Sequence, residues 1–147
     1  IIQLYHLYEY DKARSYDKTL EAHTKDHTSN GQPLHPMGKY NKNYFIYARR
    51  GDTFRSIGEE IGISYKKIAR YNERDRDDRL QEGEVIWLKK KQKRAPKEYK
   101  DRLHYIREGE SMYTIAQKYG IRLESLYKMN HLSPDYQIRV GDALKLR

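Results

Sequence analysis

The sequence predicts an α+β chain: two small βααβ modules joined by a basic linker and preceded by a helical N-terminal segment. Three observations carry this. Modules 44–88 and 103–147 match without a gap at a constant offset of 58, residues 45–88 recurring at 103–146, the mark of a duplicated structural unit. Each copy begins and ends with a short aromatic or β-branched run, which suits a strand. Between those runs lie two short helix signals, each bounded by capping residues.

The first element is the N-terminal stripe. In "IIQLYHLYEYD" the apolar residues at 1, 4, 5 and 8 share one helical face. A polar stretch, "KARSYDKTLEAH", follows, and "TSNGQPLHPMGKYNKN" is rich in turn formers and reads as loop. One short helix is too little for a domain, so 1–43 reads as the tail of an upstream domain. The chain does not start with methionine. It reads as a processed piece or a part cut from a longer protein.

Tyr44–Arg49 and Leu103–Arg107 read as first strands. Gly51-Asp52 and Gly109-Glu110 turn the chain, and Thr53 and Ser111 can accept a free amide at a helix start. Phe54, Ile57, Gly58 and Ile61 follow at helical spacing, as do Met112, Ile115, Ala116 and Tyr119. Gly62 and Gly120 end these helices. Ser64 can cap the next helix, with Ile63 and Ile68 placed as a hydrophobic staple. In the second copy the poorer cap Arg122 stands there, with Ile121 and Leu126 as the staple. Asn72 and Asn130 close the second helices. A polar loop then leads through Gly83 or Gly141 to a last strand, "EVIWL" or "DALKL". A module of roughly 45 residues without disulfide or metal is near the lower size limit for a domain. Its helices must cover one face of its hairpin, which alone is marginal.

Hydrophobic content is 37%, charged content 35%, and there is no cysteine. Disulfides and cysteine-ligated zinc are thereby excluded, and no apolar run approaches a membrane span. The net charge is +9, of which +6 falls in 89–102, "KKKQKRAPKEYKDR". A solvated basic linker is the plain reading of that stretch, and a tether to an anionic surface is the functional one. A nucleic-acid domain more often spreads its basic residues over a folded face, so nucleic acid is disfavoured as a partner.

Two segments carry a resemblance to a known family: "YARRGDTFRSIGEEIG…IARYN…LQEGEVIWL" and "HYIREGESMYTIAQKYG…LYKMN…IRVGDALKL". Both resemble the LysM domain, a βααβ module, over about 90 residues in all. The second copy departs from the family's Asp-Thr-Leu with Glu110-Ser111-Met112. Glu84 and Asp142 stand where the family has glutamine, and the first loop, "NERDRDDR", is unusually charged. The resemblance implies binding of N-acetylglucosamine glycans, peptidoglycan or chitin oligomers. It implies a groove between the loop after the first strand and the loop after the second helix. In the first module this places Gly51, Asp52, Thr53 and Phe54 on one lip and Asn72, Glu73, Arg74, Asp75 and Arg76 on the other. In the second module the lips are Gly109, Glu110, Ser111 and Met112, with Asn130, His131, Leu132, Ser133 and Pro134. Exposed turn amides would bond acetamido groups while an apolar residue covers the acetyl methyl. The glycines, hydroxyls and asparagines would equally serve as helix caps with no sugar present. Arg50-Gly51-Asp52 is thus read as a Gly-acid-hydroxyl turn behind an arginine, and not as an adhesion tripeptide.

The order of parts, with "LYHLYEYD" ahead of paired modules, resembles the C-terminal part of a bacteroidete-type cell-wall glucosaminidase, a peptidoglycan hydrolase. That implies a bacterial, periplasmic or extracellular setting and an upstream catalytic domain. Within the chain itself no nucleophile constellation, metal motif or phosphate loop is present. A glycosidase would need two carboxyl groups set across a cleft, one of them desolvated, whereas the carboxylates here lie on charged loops and helix surfaces. His23, His27 and His35 read as solvated side chains and not a metal site. No cofactor is expected. The leading expectation is a non-catalytic glycan-binding region that anchors an attached hydrolase. The alternatives are a protein-interaction or structural module of the cell envelope without sugar binding, and, more weakly, nucleic-acid binding through "KKKQKR".

Overall fold

A computed structural model describes residues 28–29 and 32–147. The N-terminal helical expectation, with His23 and His27, lies outside the described residues. The chain divides into two compact units, with the division between Lys90 and Lys91.

The first unit holds two residue pairs in antiparallel register, β1 (Thr28–Ser29) and β2 (Gln32–Pro33). A three-stranded antiparallel sheet follows, in the order β3 (Gly38–Tyr40), β4 (Asn43–Tyr47), β5 (Val85–Trp87). The stretch 28–43 was expected to be loop, and its second half is instead a strand. Asn41 and Lys42 take positive φ (49° and 59°), the geometry of the two-residue hairpin turn that twisted strands favour. They set Tyr40 opposite Asn43 and Gly38 opposite Phe45. The glycine is required there: a Cβ on Gly38 would come within 2.3 Å of the Phe45 ring. The Gly and Asn read as breakers are therefore the parts of a hairpin.

Helices α1 (Phe54–Ile61) and α2 (Tyr65–Tyr71) bridge β4 and β5. Thr53 caps α1 with a full capping box with Ser56, and Gly62 ends it in the left-handed conformation at φ 84°. Ser64 stands at the N-cap of α2 but makes no side-chain cap bond. There the chain is secured by Ile68, fully buried, and by Ile63, packed against the same core. That core joins Tyr44, Ile46, Ile86 and Leu88 of the sheet to Phe54, Ile57, Ile61 and Ile68 of the helices.

The second unit repeats the plan: β6 (Leu103–Tyr105), α3 (Met112–Tyr119), α4 (Leu123–Met129) and β7 (Ala143–Lys145), with β6 and β7 antiparallel. Ser111 caps α3 with Thr114, and Gly120 ends it at φ 66°. Residues 91–102 correct the expectation of a solvated linker. Gln92 forms a parallel bridge to Ile121, and Ala95 is fully buried in the second core. The Ala95 amide donates to the Leu146 carbonyl at 2.8 Å. Lys91 is buried, its ammonium donating to Gln117 Oε1 at 2.7 Å. The basic residues here are interleaved with small and apolar ones that dock, so net charge alone misjudged the segment.

Candidate functional site

The Gly-acid-hydroxyl turn is built the same way in both modules. In the first, Asp52 donates its amide to the Arg49 carbonyl (3.0 Å), closing the turn over Gly51 at φ 87°. This is a backbone conformation that glycine reaches without a Cβ penalty. The Asp52 carboxylate folds back and accepts from the Arg49 amide at 2.6 Å. In the second, Glu110 repeats both bonds with Arg107, at 3.2 and 2.7 Å, over Gly109 at φ 86°. The acid holds the turn in either case, so the change from Asp to Glu leaves the lip's shape intact.

Each acid is also held by a buried histidine. His35 Nε2 lies 2.6 Å from Asp52 Oδ2, and its Nδ1 lies 2.8 Å from Glu60 Oε1. His35 is only 6% exposed, which corrects the expectation of a solvated side chain. Its two ring nitrogens serve different carboxylates, an ion-pair bridge and not a metal-ligand set. Burial alone would lower its pKa. The hydrogen bonds and charges of Glu60 and Asp52 outweigh burial and hold it above the ordinary 6.5. In the second module His104 Nε2 lies 2.9 Å from Glu110 Oε1 and Nδ1 lies 2.8 Å from the Tyr119 hydroxyl. Burial pushes the Tyr119 hydroxyl up to about 12, with help from Tyr99 and Glu110. Burial would raise the Glu110 carboxyl as well, but the Arg107 amide, His104 and Lys118 together hold it below 4.5. The Asp52 carboxylate is thus committed inside the protein, which removes it from any adhesion role.

The opposite lip rests on an asparagine. Asn72 is fully buried. Its Nδ2 donates to the Ile68 and Trp87 carbonyls at 2.7 and 2.8 Å, and its Oδ1 accepts from the Trp87 amide at 2.8 Å. Asn130 makes the same three bonds, to Leu126 and to both backbone groups of Lys145. Each asparagine stitches the end of a helix to the last strand, so neither presents a group to a ligand. Phe54 and Met112 also leave the lips: as the first residues of their apolar stripes they lie in the two cores. Leu132 packs against the second core.

Beyond Asn72 the charged loop is internally paired. Arg74 Nη1 donates to Glu84 Oε1 (2.6 Å), Nε to Asp78 Oδ2 (2.9 Å) and Nη2 to the Arg79 carbonyl (2.9 Å). Glu84, a departure from the family pattern, is therefore an anchor for this loop. A cleft of about 540 Å³ is lined by Gly51, Asp52 and Thr53 on one side and by residues 76–80 on the other, with Arg55. The structure thus brings Gly51, Asp52, Thr53 and Arg76 together. Glu73, Arg74 and Asp75 border an adjoining hollow with Lys66, Ala69 and Arg70, which shares Arg76, Asp77 and Asp78 with the cleft. Arg55, Asp77, Asp78, Arg79 and Leu80 were not anticipated. The signal for them was the length of the charged loop, which runs past Arg76 before Gly83. In the second module Gly109, Ser111, His131, Ser133 and Pro134 are exposed, and the Ser133 hydroxyl bonds Asp135.

Such paired βααβ modules, each with a capped Gly-acid-hydroxyl turn ahead of its first helix, define a class of small α+β domain. The LysM domain model matches residues 48–89 and 104–147, more than half of the chain. The chain belongs to the LysM family. It is 25% identical over 124 residues to an autolysin of Enterococcus faecalis, covering 81% of this chain and 16% of that protein. It is 26% identical over 102 residues to the cell wall-binding protein YocH of Bacillus subtilis, covering 69% and 33%. It is 27% identical over 100 residues to membrane-bound lytic murein transglycosylase D of Escherichia coli, covering 67% and 22%. The chain spans a third or less of the length of these relatives. The Bacillus cereus spore cortex-lytic enzyme SleL aligns at 26% identity with a TM-score of 0.31, over 70% of this chain and 22% of that one.

Proposed function

We propose that this chain is a non-catalytic binding region for N-acetylglucosamine glycans, peptidoglycan first, and that it holds an attached cell-wall hydrolase against its substrate at the bacterial cell envelope. LysM domains of cell-wall proteins bind such glycans in general, and relatives that are autolysins or murein transglycosylases carry them alongside other sequence. The observation that carries the reading is the first cleft, where the Gly51–Thr53 turn faces the loop at 76–80. Gly109, Glu110 and Ser111 with His131, Ser133 and Pro134 would form the second lip pair. Two weak sites on one polymer gain by effective concentration. Among the described residues no helix is long and apolar enough to cross a membrane.

Co-sedimentation with insoluble peptidoglycan at low and high salt tests the reading. Retention that survives high salt and is competed by N-acetylglucosamine oligomers is expected. Arg76→Trp combined with Ser133→Trp, both at exposed positions, should weaken retention while leaving the fold intact. Retention abolished by salt alone, or untouched by the oligomers, would leave a polyanion tether or a protein-interaction module instead.

A further inference from the structure

The first cleft and the corresponding residues of the second module differ in charge at matched positions. Arg55, Arg76 and Arg79 line the first cleft. At the offset of 58 the second module has Tyr113, Pro134 and Gln137. Acidic residues also line the first cleft, but two of the three already have a cation behind them, one that each shares with a second carboxylate, Glu60 or Glu84. Asp52 sits against His35 at 2.6 Å, and Asp78 accepts from Arg74 at 2.9 Å. Asp77 remains, 83% exposed, with Arg76 only at 3.9 Å.

One of the guanidiniums is also positioned. Arg55 lies over the Tyr65 ring at 4.3 Å and donates one N–H to its hydroxyl at 2.9 Å, leaving the other donors of the fork available. The Arg79 carbonyl is pinned by Arg74, which fixes the backbone from which its side chain projects. Guanidinium groups recognise planar carboxylates through paired N–H donors. An uncharged sugar would offer no counter-charge to these arginines, and the one ion pair among them, Arg76 with Asp77, is long at 3.9 Å.

We propose that the first module's cleft selects an amino-sugar glycan that bears carboxylate groups, and that Arg76 and Arg79 determine this specificity while the second module takes the uncharged glycan. This rests on the glycan-binding reading above. In peptidoglycan the carboxylate can come from the lactyl ether of alternate sugars or from the stem peptide, and the chemistry recognised is the same.

The test uses the whole chain in solution, followed by the amide resonances of Gly51, Thr53 and Arg79 for the first module and of Gly109, Ser111 and Ser133 for the second. Four oligomers are titrated: the neutral N-acetylglucosamine oligomer, the peptide-free lactyl-bearing strand, that strand with its carboxylates amidated, and the strand with stem peptides attached. At the first module the lactyl strand is expected to bind about tenfold more tightly than the neutral and amidated ones at low salt, as a charge-assisted pair would give. High salt should shrink that margin. If the stem peptide supplies the carboxylate, the margin appears only with the fourth oligomer. Arg76→Gln with Arg79→Gln should abolish the margin, so that the lactyl strand and the neutral oligomer bind the first module alike, with Trp87 emission reporting an intact first module. Equal affinity of the first module for all four oligomers, or a margin that survives the double variant, overturns the specificity while the glycan reading stands. If no oligomer moves any lip resonance, the glycan reading falls and the specificity with it.

Discussion

In the first module the turn's acid is held by a histidine from outside the repeat; in the second the histidine comes from the module's own first strand. His104 occupies the place of Ile46 in the first copy, and Tyr119 that of Ile61. The first module keeps these positions apolar and borrows His35 from the segment before β3. Different residues have converged on one contact, a buried imidazole against the carboxylate that shapes the lip. The two clamps are not equivalent. His35 bridges two carboxylates, which only accept, so both are satisfied only by the protonated ring. His104 faces one carboxylate and one hydroxyl, and a neutral ring can donate to Glu110 and accept from Tyr119. The second difference is the support of each sheet: β3 extends the first, while residues 91–102 dock onto the second core. Duplication has preserved the turn and left its support free to diverge.

The largest expected effect concerns the asparagines, where the modules should differ in degree. Asn72→Ala strands the buried Trp87 amide and should cost the first module about 3 kcal/mol. Asn130→Ala frees groups on the more exposed β7 and should cost about 1 kcal/mol. Trp87 is the sole tryptophan, so urea unfolding by its emission reads the first module alone, and amide resonances read the second. Equal losses would show that burial does not set the difference.

The clamps come next. His35→Ala should cost the first module roughly 2 kcal/mol at mildly acidic pH, the range for hydrogen bonds to charged groups. Because the His35 pKa is raised in the folded state, its contribution is complete below the unfolded value of 6.5 and is lost as pH rises through the folded value. Glu110 has the opposite sign. Its lowered pKa gives stability that is present above 4.5 and lost as pH falls through the folded value. The first module's urea midpoint should thus decline on the alkaline side of 6.5 and the second's on the acid side of 4.5. His35→Gln should flatten the first profile and Glu110→Gln the second. A first-module midpoint that keeps its alkaline decline in His35→Gln would remove the clamp as its cause.

The caps should behave alike. Thr53→Ala and Ser111→Ala each delete the hydroxyl of a full capping box, and each should lower its module's stability by about 1 kcal/mol. The smallest effect lies at Glu73 and His131, which both hold φ 55° just past their asparagines. Glycine at either place relieves a left-handed strain and should raise thermal stability by roughly 0.5 kcal/mol. A larger gain at one site would mark the residue there as kept for something other than stability.

Much of this was legible in the residue order because it is local. The capping hydroxyls, the left-handed glycines and the i, i+3, i+4, i+7 stripes act within a turn or two of chain, and two copies in register let each confirm the other. That same stripe already argued that Phe54 and Met112 belong to the cores, although the resemblance put them on the lips. The hairpin at 38–47 was missed because Gly38, Asn41 and Asn43 are as much breakers as hairpin residues until a partner strand defines them. His35 and Asp52 are 17 positions apart, and nothing in the spacing marks them as a pair.

The order of residues determined the repeat, the four α-helices of the two modules, the turns and the family, since each depends on neighbours close in the chain. It could not determine which charges remain available to a ligand. Arg74 and Asp78 are spent on each other, Asp52 on His35 and Lys91 on Gln117, whereas Arg76 and Arg79 face a cleft. Only folding decided that, because the worth of a charge depends on what desolvates and pairs it, and those partners come from elements distant in sequence.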